Sequence, residues 1–224
     1  MENAVTFEKL IGEITSRPGI TTIWSTPGFG KTSLLLQLTE KAVKSSGKTG
    51  CIFSLEMTRE HILCKGKRIG LDFDNIVIYD EVPISADKIR EAVREMNGNC
   101  IIAIDYLGLL NDSLQSELKR MAMELSVHIL VTGQFARSIE DHPLGRATLD
   151  DLQFKSATRG SHIMLKDSDI IIFLWRPHKC ERGIGTARLY DMENRTELTI
   201  AKNRLGDIGT IYTEWNDKKL GFEL

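Results

Sequence analysis

Residues 25–32 read Ser-Thr-Pro-Gly-Phe-Gly-Lys-Thr and lie between an apolar, β-rich run and a segment of helical period. A strand–turn–helix context of this kind is the one in which a glycine-rich loop wraps phosphate groups. Gly28 and Gly30 let backbone N–H groups face the phosphates, and the helix N-terminus adds positive potential. The segment therefore predicts an α/β protein that binds a nucleotide through its phosphates.

The side chains of this loop predict ATP and Mg²⁺ as the cofactors. Lys31 reaches the terminal phosphates and the Thr32 hydroxyl ligates magnesium. The candidate ATP-binding residues are Ser25, Thr26, Pro27, Gly28, Phe29, Gly30, Lys31, Thr32 and Ser33. Ser25 stands where such loops usually have their first glycine. Because serine tolerates a positive φ poorly, we expect a less tight first turn.

Apolar β-rich runs alternate with helical segments along the chain, which is typical of a mostly parallel sheet flanked by helices. The predicted strands are 20–25, 50–55, 76–79, 101–105, 129–132 and 170–175, and the predicted helices are 5–16, 31–44, 58–69, 85–96 and 112–126. Shorter alternating runs at 186–192, 197–202 and 210–215 predict antiparallel strands added near the C-terminus. Residues 137–166 carry no comparable strand signal, and a connection of that length is usually functional or disordered.

A single domain fits a chain of 224 residues, with residues 1–19 as a helical extension. The formal net charge of -2 gives no global basic signature, so contact with nucleic acid requires a local patch. The four scattered cysteines show no metal-ligand spacing and indicate an intracellular protein. Without a signal peptide or a membrane-spanning apolar run, we expect a cytoplasmic protein that has no membrane partner.

Two strand ends carry acids suited to ATP chemistry. Asp105 ends an apolar strand and fits a magnesium ligand, although an aspartate there can also cap the following turn. Tyr106 follows it, whereas AAA-type motors usually place a glutamate there. Glu56 ends another apolar strand and could polarise the attacking water, but a strand-end glutamate also suits the N-terminus of a helix.

Three further features have functional and structural interpretations that stay open. Gln134 follows strand 129–132 and could sense the γ-phosphate or form ordinary loop hydrogen bonds. Residues 152–166 contain no acid and could touch a phosphate backbone or form a solvated basic loop. Lys202 and Arg204 project to the same side at a strand end. They suit a finger inserted into a neighbour's ATP site, although spacing alone favours a solvated hairpin.

Together these motifs resemble the C-terminal RecA-like motor domain of DnaB-type replicative helicases, which belong to helicase superfamily 4. Their order and approximate spacing match from about residue 20 to residue 216. The most specific pieces are Ser-Leu-Glu-Met at 54–57 and Ile-Asp-Tyr-Leu at 104–107. The other matching pieces are residues 27–32, 108–110, 133–138, 167–169 and 201–204.

The resemblance implies an ATP-hydrolysing DNA helicase or translocase that acts on single-stranded DNA, as a homo-oligomer, in the form of a hexameric ring. It implies catalytic roles for Glu56, Lys31 and Gln134, and magnesium binding by Thr32 and Asp105. Lys202 and Arg204 become the trans-acting finger, and a primase or a helicase loader becomes a possible partner. The loops that line the channel supply the candidate DNA-binding residues Arg137, Arg146, Lys155, Arg159, Gly160 and Ser161.

Two departures from the family pattern lead to further expectations. No room precedes Ser25 for the family's N-terminal helical collar domain, so ring assembly is expected to be weak or to need DNA, a partner or residues 1–17. The sequence of residues 160–166 also differs from the pattern usual in the family. The alternatives are a RecA- or KaiC-like ATPase without unwinding activity, and a nucleotide-dependent adaptor of the replication machinery.

Overall fold

The computed structural model describes residues 5–135, 139, 146–153, 161–179 and 194–224. In these residues one sheet contains the strands β1 (Gly19–Ser25), β2 (Thr49–Ser54), β3 (Ile76–Tyr79), β4 (Cys100–Asp105), β5 (His128–Gln134), β6 (Ile170–Trp175), β7 (Arg195–Asn203), β8 (Gly209–Asn216) and β9 (Gly221–Phe222). The helices are α1 (Phe7–Ser16), α2 (Lys31–Ser46), α3 (Arg59–Ile69), α4 (Ala86–Glu95), α5 (Asp112–Glu124) and α6 (Ser161–Asp167). Short 3₁₀ turns lie at Leu107–Leu109, Leu149–Leu152 and Pro177–Lys179.

The strand order across the sheet is β3-β2-β4-β5-β1-β6-β7-β8-β9. Strands β1 to β6 run parallel, and β7, β8 and β9 are antiparallel additions at one side. The predicted architecture is therefore confirmed, although the predicted strand at 186–192 lies outside the described residues. Because β1, β2, β4 and β5 are parallel neighbours, the residues that follow them meet at one edge of the sheet.

Helices cover both faces of the parallel strands, so successive strand residues are buried on opposite sides. In β1, Ile20 and Trp24 face the cluster that contains α4 and α5, whereas Ile23 faces the cluster that contains α1 and α2. Trp24 is fully buried and fills the space beside Gly133 on β5, where an added Cβ would collide with the indole ring. Within the described ranges, no helix is long and apolar enough to cross a membrane.

A comparison of the helix starts shows why the N-terminus of α2 remains open for a ligand. Helices α1, α3, α4 and α5 begin at Thr6, Thr58, Ser85 and Asn111, whose side chains each accept a hydrogen bond from a backbone N–H of the first turn. Helix α2 begins at Gly30, which is left-handed and provides no side-chain cap. The first N–H groups of α2 are thus left for an anion.

Two described elements were not predicted from the sequence. Helix α6 spans seven residues, of which Ser161 and Met164 are buried, and this is too short for a helical period to stand out. Strand β9 has two residues and pairs with Trp215 and Asn216. Both elements are stabilised by contacts distant in sequence, such as the hydrogen bonds that Gln37 exchanges with Phe222.

His128 makes the stability of the fold depend on pH. Its Nδ1 lies 2.9 Å from the carbonyl oxygen of Arg17, and its Nε2 lies 2.8 Å from the hydroxyl of Thr21. A carbonyl only accepts, so Nδ1 carries the proton and Nε2 of the neutral ring accepts from Thr21. Burial lowers the pKa of His128 to about 4, against an ordinary value near 6.5.

We therefore expect the free energy of unfolding to fall as the pH is lowered from 6.5 towards 4. In that window the unfolded chain binds a proton that the folded chain excludes, and the slope from one such group is at most about 1.4 kcal/mol per pH unit. Above pH 6.5 the contribution is complete. Urea unfolding at pH 7.5 and pH 5 measures it, with His128→Gln as the control because its amide can bond to Arg17 and Thr21 without titrating. Equal pH slopes in both proteins would contradict the assignment.

Candidate nucleotide-binding site

A cavity of about 390 Å³ opens where the parallel strands end. The predicted residues Pro27, Gly28, Gly30, Lys31, Thr32, Glu56, Asp105 and Gln134 all line it. Additional lining residues are Lys65, Tyr106, Arg176, Lys179, Trp215, Asp217 and Leu220. The structure therefore brings the predicted catalytic and magnesium-binding side chains together at one edge of the sheet.

The remaining loop residues support the cavity from behind. Phe29 is 4% exposed and packs in the core with α2, and Ser33 donates a 2.8 Å hydrogen bond to the carbonyl of Leu220. Positive φ angles fall on Gly28 (80°) and Gly30 (100°), whereas Ser25 belongs to β1 and pairs with Gln134. Serine at position 25 costs the loop no left-handed strain, which corrects the expectation of a less tight first turn.

Gly30 is required for a second reason, which the sequence did not reveal. A Cβ at this position would lie 2.8 Å from the ring of Trp215 and 3.0 Å from that of Phe222. These two aromatic rings pack edge to face on each other, with centroids 4.9 Å apart. The end of β8 and the turn before β9 thus lie against the phosphate-binding loop, and Trp215, Asp217 and Leu220 form one wall of the cavity.

The side chain of Lys31 is held by backbone carbonyls at the start of the loop. Its Nζ donates to the carbonyl oxygens of Ser25 and Thr26 at 3.2 Å and 3.1 Å. Burial lowers the pKa of Lys31 to about 8, and the nearby Asp105 and Glu56 carboxylates partly oppose this. A polyphosphate in the cavity would add negative charge beside Nζ and favour its charged form.

Asp105 accepts a hydrogen bond on each carboxylate oxygen. The Thr32 hydroxyl donates to Oδ2 at 2.6 Å, and the Thr132 hydroxyl donates to Oδ1 at 2.5 Å. The Thr32 hydroxyl and the Asp105 carboxylate therefore offer two oxygen ligands beside the phosphate-binding loop. This fits Mg²⁺, which usually takes one or two protein ligands plus substrate phosphates. Among the described side chains no cluster of three His, Cys, Asp or Glu suits a metal, so a cage made of protein alone is not offered there.

Thr132 was not predicted, and its fully buried hydroxyl orients the carboxylate of Asp105, the predicted magnesium ligand. We expect Thr132→Val to raise the Mg²⁺ concentration needed for tight nucleotide binding by about 10-fold or more, because groups that orient a metal ligand contribute to affinity at that scale. Thr132→Ser keeps the donor and should bind as before. Calorimetric titration of nucleotide at several Mg²⁺ concentrations tests this, and identical Mg²⁺ dependence in the Val and Ser variants would contradict it.

Gln134 ends β5, the neighbour of the P-loop strand β1, and Glu56 follows β2, which lies farther along the sheet on the same side of β1. Glu56 lies two residues after Ser54 and is exposed. Burial lowers the pKa of Lys31, and the negative charge of Glu56 is close enough to oppose part of this lowering. Gln134 is the last residue of β5 and is half-buried. Both positions agree with contacts to the terminal phosphate and the attacking water.

Three lining residues that the sequence analysis missed, Arg176 after β6 and Trp215 and Asp217 at the end of β8, lie together in the cavity. The Arg176 guanidinium stacks 4.0 Å from the centroid of the Trp215 ring, and Trp215 Nε1 donates to Asp217 at 2.8 Å. Burial lowers the pKa of Arg176 to about 10 despite the charge of Asp217. This flat, cationic and aromatic surface suits a nucleotide base.

Lys65 enters the cavity from α3 on the opposite side. Burial lowers its pKa, while the charge of Asp105 opposes this change. The residue stands at the start of the run Lys65-Gly66-Lys67-Arg68, whose other cations are on the exposed surface. Lys65 points into the cavity because it lies on a different face of the helix from Lys67. In the sequence, the basic run was the feature that could have indicated a phosphate-binding lysine here.

The predicted finger residues do not line the cavity of their own chain. Lys202 pairs with Ile171 near the start of β6, at the sheet edge opposite the P-loop. Its Nζ donates to the carbonyl of Leu165 at 2.7 Å, and Arg204 Nη2 donates to that of Lys166 at 2.9 Å. Any contact of these cations with a nucleotide must therefore involve a different subunit.

Four of the candidate DNA-binding residues, Arg137, Lys155, Arg159 and Gly160, lie outside the described residues. Arg146 forms a 2.8 Å ion pair with Glu197 and lies 4.5 Å from the ring centroid of Trp175. Ser161 is buried at the start of α6, where its hydroxyl donates to the carbonyl of Leu152 at 3.0 Å. The Ser161 hydroxyl faces inward, so its role in DNA binding, like that of the others, stays a prediction.

Comparisons with known proteins agree with this geometry. The chain is 28% identical to the replicative DNA helicase DnaB of Buchnera aphidicola subsp. Acyrthosiphon pisum over 234 residues, covering 85% of this chain and 48% of that protein. It is 27% identical to the replicative DNA helicase DnaC of Bacillus subtilis over 228 residues, covering 83% of this chain and 48% of that protein. The chain thus spans about half the length of these relatives.

Solved structures confirm the RecA-like fold. A DnaB-like replicative helicase, studied with its interactions with primase, superimposes with a TM-score of 0.75 at 24% identity, covering 93% of this chain and 57% of that one. A separately solved ATPase domain gives the same TM-score and identity and covers 92% of this chain and 84% of that one. The family model of the DnaB-like helicase C terminal domain matches residues 69–224, and the chain belongs to this family.

Proposed function

We propose that this domain is an ATP-hydrolysing motor that translocates along single-stranded DNA and unwinds duplex DNA during replication. The convergence of Lys31, Thr32, Glu56, Asp105 and Gln134 on one cavity carries the proposal. A pocket that only held a nucleotide would not need an acid beside the terminal phosphate. The replicative helicases that resemble the chain support the choice of DNA as the track.

Each residue has a definite part in the proposed hydrolysis. The N–H groups after Gly28 and the Lys31 ammonium would hold the β- and γ-phosphates, and Thr32 and Asp105 would hold magnesium. Bound magnesium would neutralise charge on the β- and γ-phosphate oxygens. Glu56 accepts a proton from the attacking water, and Gln134 contacts the γ-phosphate. Because Gln134 lies just before residues 136–145, a change at the phosphate can pass into that segment.

We further propose that the domain works as a ring, with six subunits as the resemblance of the motifs implies. Lys202 and Arg204 lie at the edge of the sheet opposite their own P-loop, which suits contact with the ATP of an adjacent subunit. The predicted DNA-binding residues would then contact single-stranded DNA in the channel of the ring. A primase or a helicase loader is the proposed protein partner, and the cytoplasm is the proposed location.

The test is steady-state ATP hydrolysis with and without single-stranded DNA, with the mass measured by light scattering in each nucleotide state. We expect DNA to stimulate hydrolysis and ATP to favour a ring-sized oligomer. Strand displacement on a forked substrate then tests unwinding. Hydrolysis that DNA does not change, in a protein that stays monomeric, would contradict the motor proposal, and stimulated hydrolysis without displacement would restrict it to translocation.

A further inference from the structure

Asp169 connects the finger to the interior of the domain. It lies between α6 and β6 and is 6% exposed. Its Oδ2 accepts hydrogen bonds from the backbone N–H of Ile20 at 2.8 Å and from Lys119 Nζ at 2.5 Å. Its own backbone N–H donates to the carbonyl of Ile20 at 2.8 Å. These bonds fix Asp169 to the first residues of β1 and to α5.

The opposite side of the same residue faces the finger. The backbone carbonyl of Asp169 accepts a 2.8 Å hydrogen bond from the N–H of Arg204. Its Oδ1 lies 3.8 Å from Arg204 Nη1. One residue therefore fixes both the main chain of the finger and the direction of its guanidinium, while its other oxygen is held by the core.

The packing around Asp169 leaves the carboxylate little freedom. A Cβ at Gly19 would lie 2.7 Å from Oδ2, so a glycine is needed at the start of β1 for the carboxylate to sit there. Strand β1 ends in the P-loop at its other end. The finger is thus anchored to the strand that carries the ATP site of its own subunit.

The end of helix α6 completes the support. The carbonyl oxygens of Leu165 and Lys166 accept hydrogen bonds from Lys202 Nζ, and that of Lys166 also accepts from Arg204 Nη2. The C-terminal carbonyls of a helix carry partial negative charge and favour cations. Burial and the adjacent Arg204 lower the pKa of Lys202. The helix carbonyls therefore hold two cations close together despite their mutual repulsion.

Taking these contacts together, we propose that Asp169 is a positioning residue for the trans-acting finger. It sets the backbone at Arg204, supplies the negative charge that orients the guanidinium, and ties both to β1. The inference rests on the proposed function, in which Arg204 contacts ATP on an adjacent subunit. Asp169 itself does not line the ATP cavity and would not contact the nucleotide.

Mixed rings separate this role from general destabilisation. Lys31→Ala subunits cannot hydrolyse ATP but can donate a finger, and Arg204→Ala subunits keep their ATP cavity but lack the finger. If the finger acts in trans, mixing the two inactive variants restores DNA-stimulated hydrolysis. Asp169→Asn, which keeps the side-chain shape and removes the charge, is then added to the donor in one experiment and to the acceptor in the other.

We expect Asp169→Asn in the Lys31→Ala donor to lower the restored kcat by about 10-fold or more, because a misplacement of about 1 Å can cost up to 10²-fold. The KM for ATP should not change, since the acceptor's cavity is intact. The same substitution in the Arg204→Ala acceptor should leave the restored activity unchanged. This asymmetry would also show that Asp169→Asn subunits fold and assemble.

Arg120→Gln in the donor is the matched control, because Arg120 is an exposed cation on the same helix α5 whose ion pairs are with Glu117 and Glu124. It should restore activity as well as Lys31→Ala alone does. Asp169→Ser provides a second variant that keeps an acceptor for the Ile20 N–H if Asp169→Asn fails to fold. Equal losses in donor and acceptor, or an equal loss with Arg120→Gln, would overturn the positioning role while leaving the trans finger intact. No restoration by the two parent variants would overturn the proposed trans contact, and the inference with it.

Discussion

The Arg204→Ala variant is expected to hydrolyse ATP about 10³-fold or more slowly than the unsubstituted chain in assembled rings, with little change in the KM for ATP. A finger that places positive charge on the γ-phosphate of an adjacent subunit contributes at this scale to kcat. Binding should persist because each cavity keeps its own phosphate-binding loop with Lys31 and Thr32. The measurement is kcat and KM with saturating single-stranded DNA, at concentrations where light scattering shows the oligomer.

Lys9→Ala is the matched control for Arg204→Ala. Lys9 is an exposed cation on α1, and its Nζ lies 3.8 Å from Asp207 on the hairpin that carries Arg204. It should keep the kcat of the unsubstituted chain. An Arg204→Ala protein that forms the oligomer and hydrolyses ATP at the normal rate would remove the between-subunit contact from the mechanism.

Glu56→Gln should bind MgATP and lose about 10²- to 10⁴-fold in kcat, because the amide has the shape of the carboxylate but cannot accept the proton of the attacking water. Glu56 is exposed and follows the end of β2, so the substitution leaves the core unchanged. Single-turnover hydrolysis together with nucleotide binding distinguishes a slower chemical step from weaker binding.

Glu60→Gln tests the alternative that Glu56 merely favours the N-terminus of α3. Glu60 is an exposed acid in the first turn of this helix. If the helix dipole were the whole role of Glu56, both variants would lose about 0.3–1 kcal/mol of stability and neither would lose kcat. A normal kcat in Glu56→Gln would therefore move the catalytic base elsewhere in the cavity.

The sequence predicted site residues best where a functional side chain lies at the end of an apolar strand or just after it. Asp105 and Glu56 each follow an apolar run, and parallel pairing of β2 and β4 brings these ends to the same edge. Gln134 reaches the P-loop strand in the same way through its pairing with Ser25. Such local patterns predicted both the sheet and most of the site.

The missed residues depend on contacts that no local pattern encodes. Arg176 and Trp215 are 39 positions apart and meet because the antiparallel pair β7 and β8 returns the chain to the edge of the sheet where the P-loop lies. Trp24 and Gly133 fit each other on neighbouring strands, and only the register of β1 and β5 reveals this pair. Thr132 likewise becomes a partner of Asp105 through strand order, not through spacing.

The position of Trp215 also gives the protein an optical signal of its own. Its indole lies in the wall of the ATP cavity under Arg176, whereas Trp24 is fully buried away from that wall. A base that enters the cavity would change the surroundings of the Trp215 ring and therefore its fluorescence. Stopped-flow mixing could then follow nucleotide arrival in real time on an unlabelled chain, with Trp215→Phe as the silent reference.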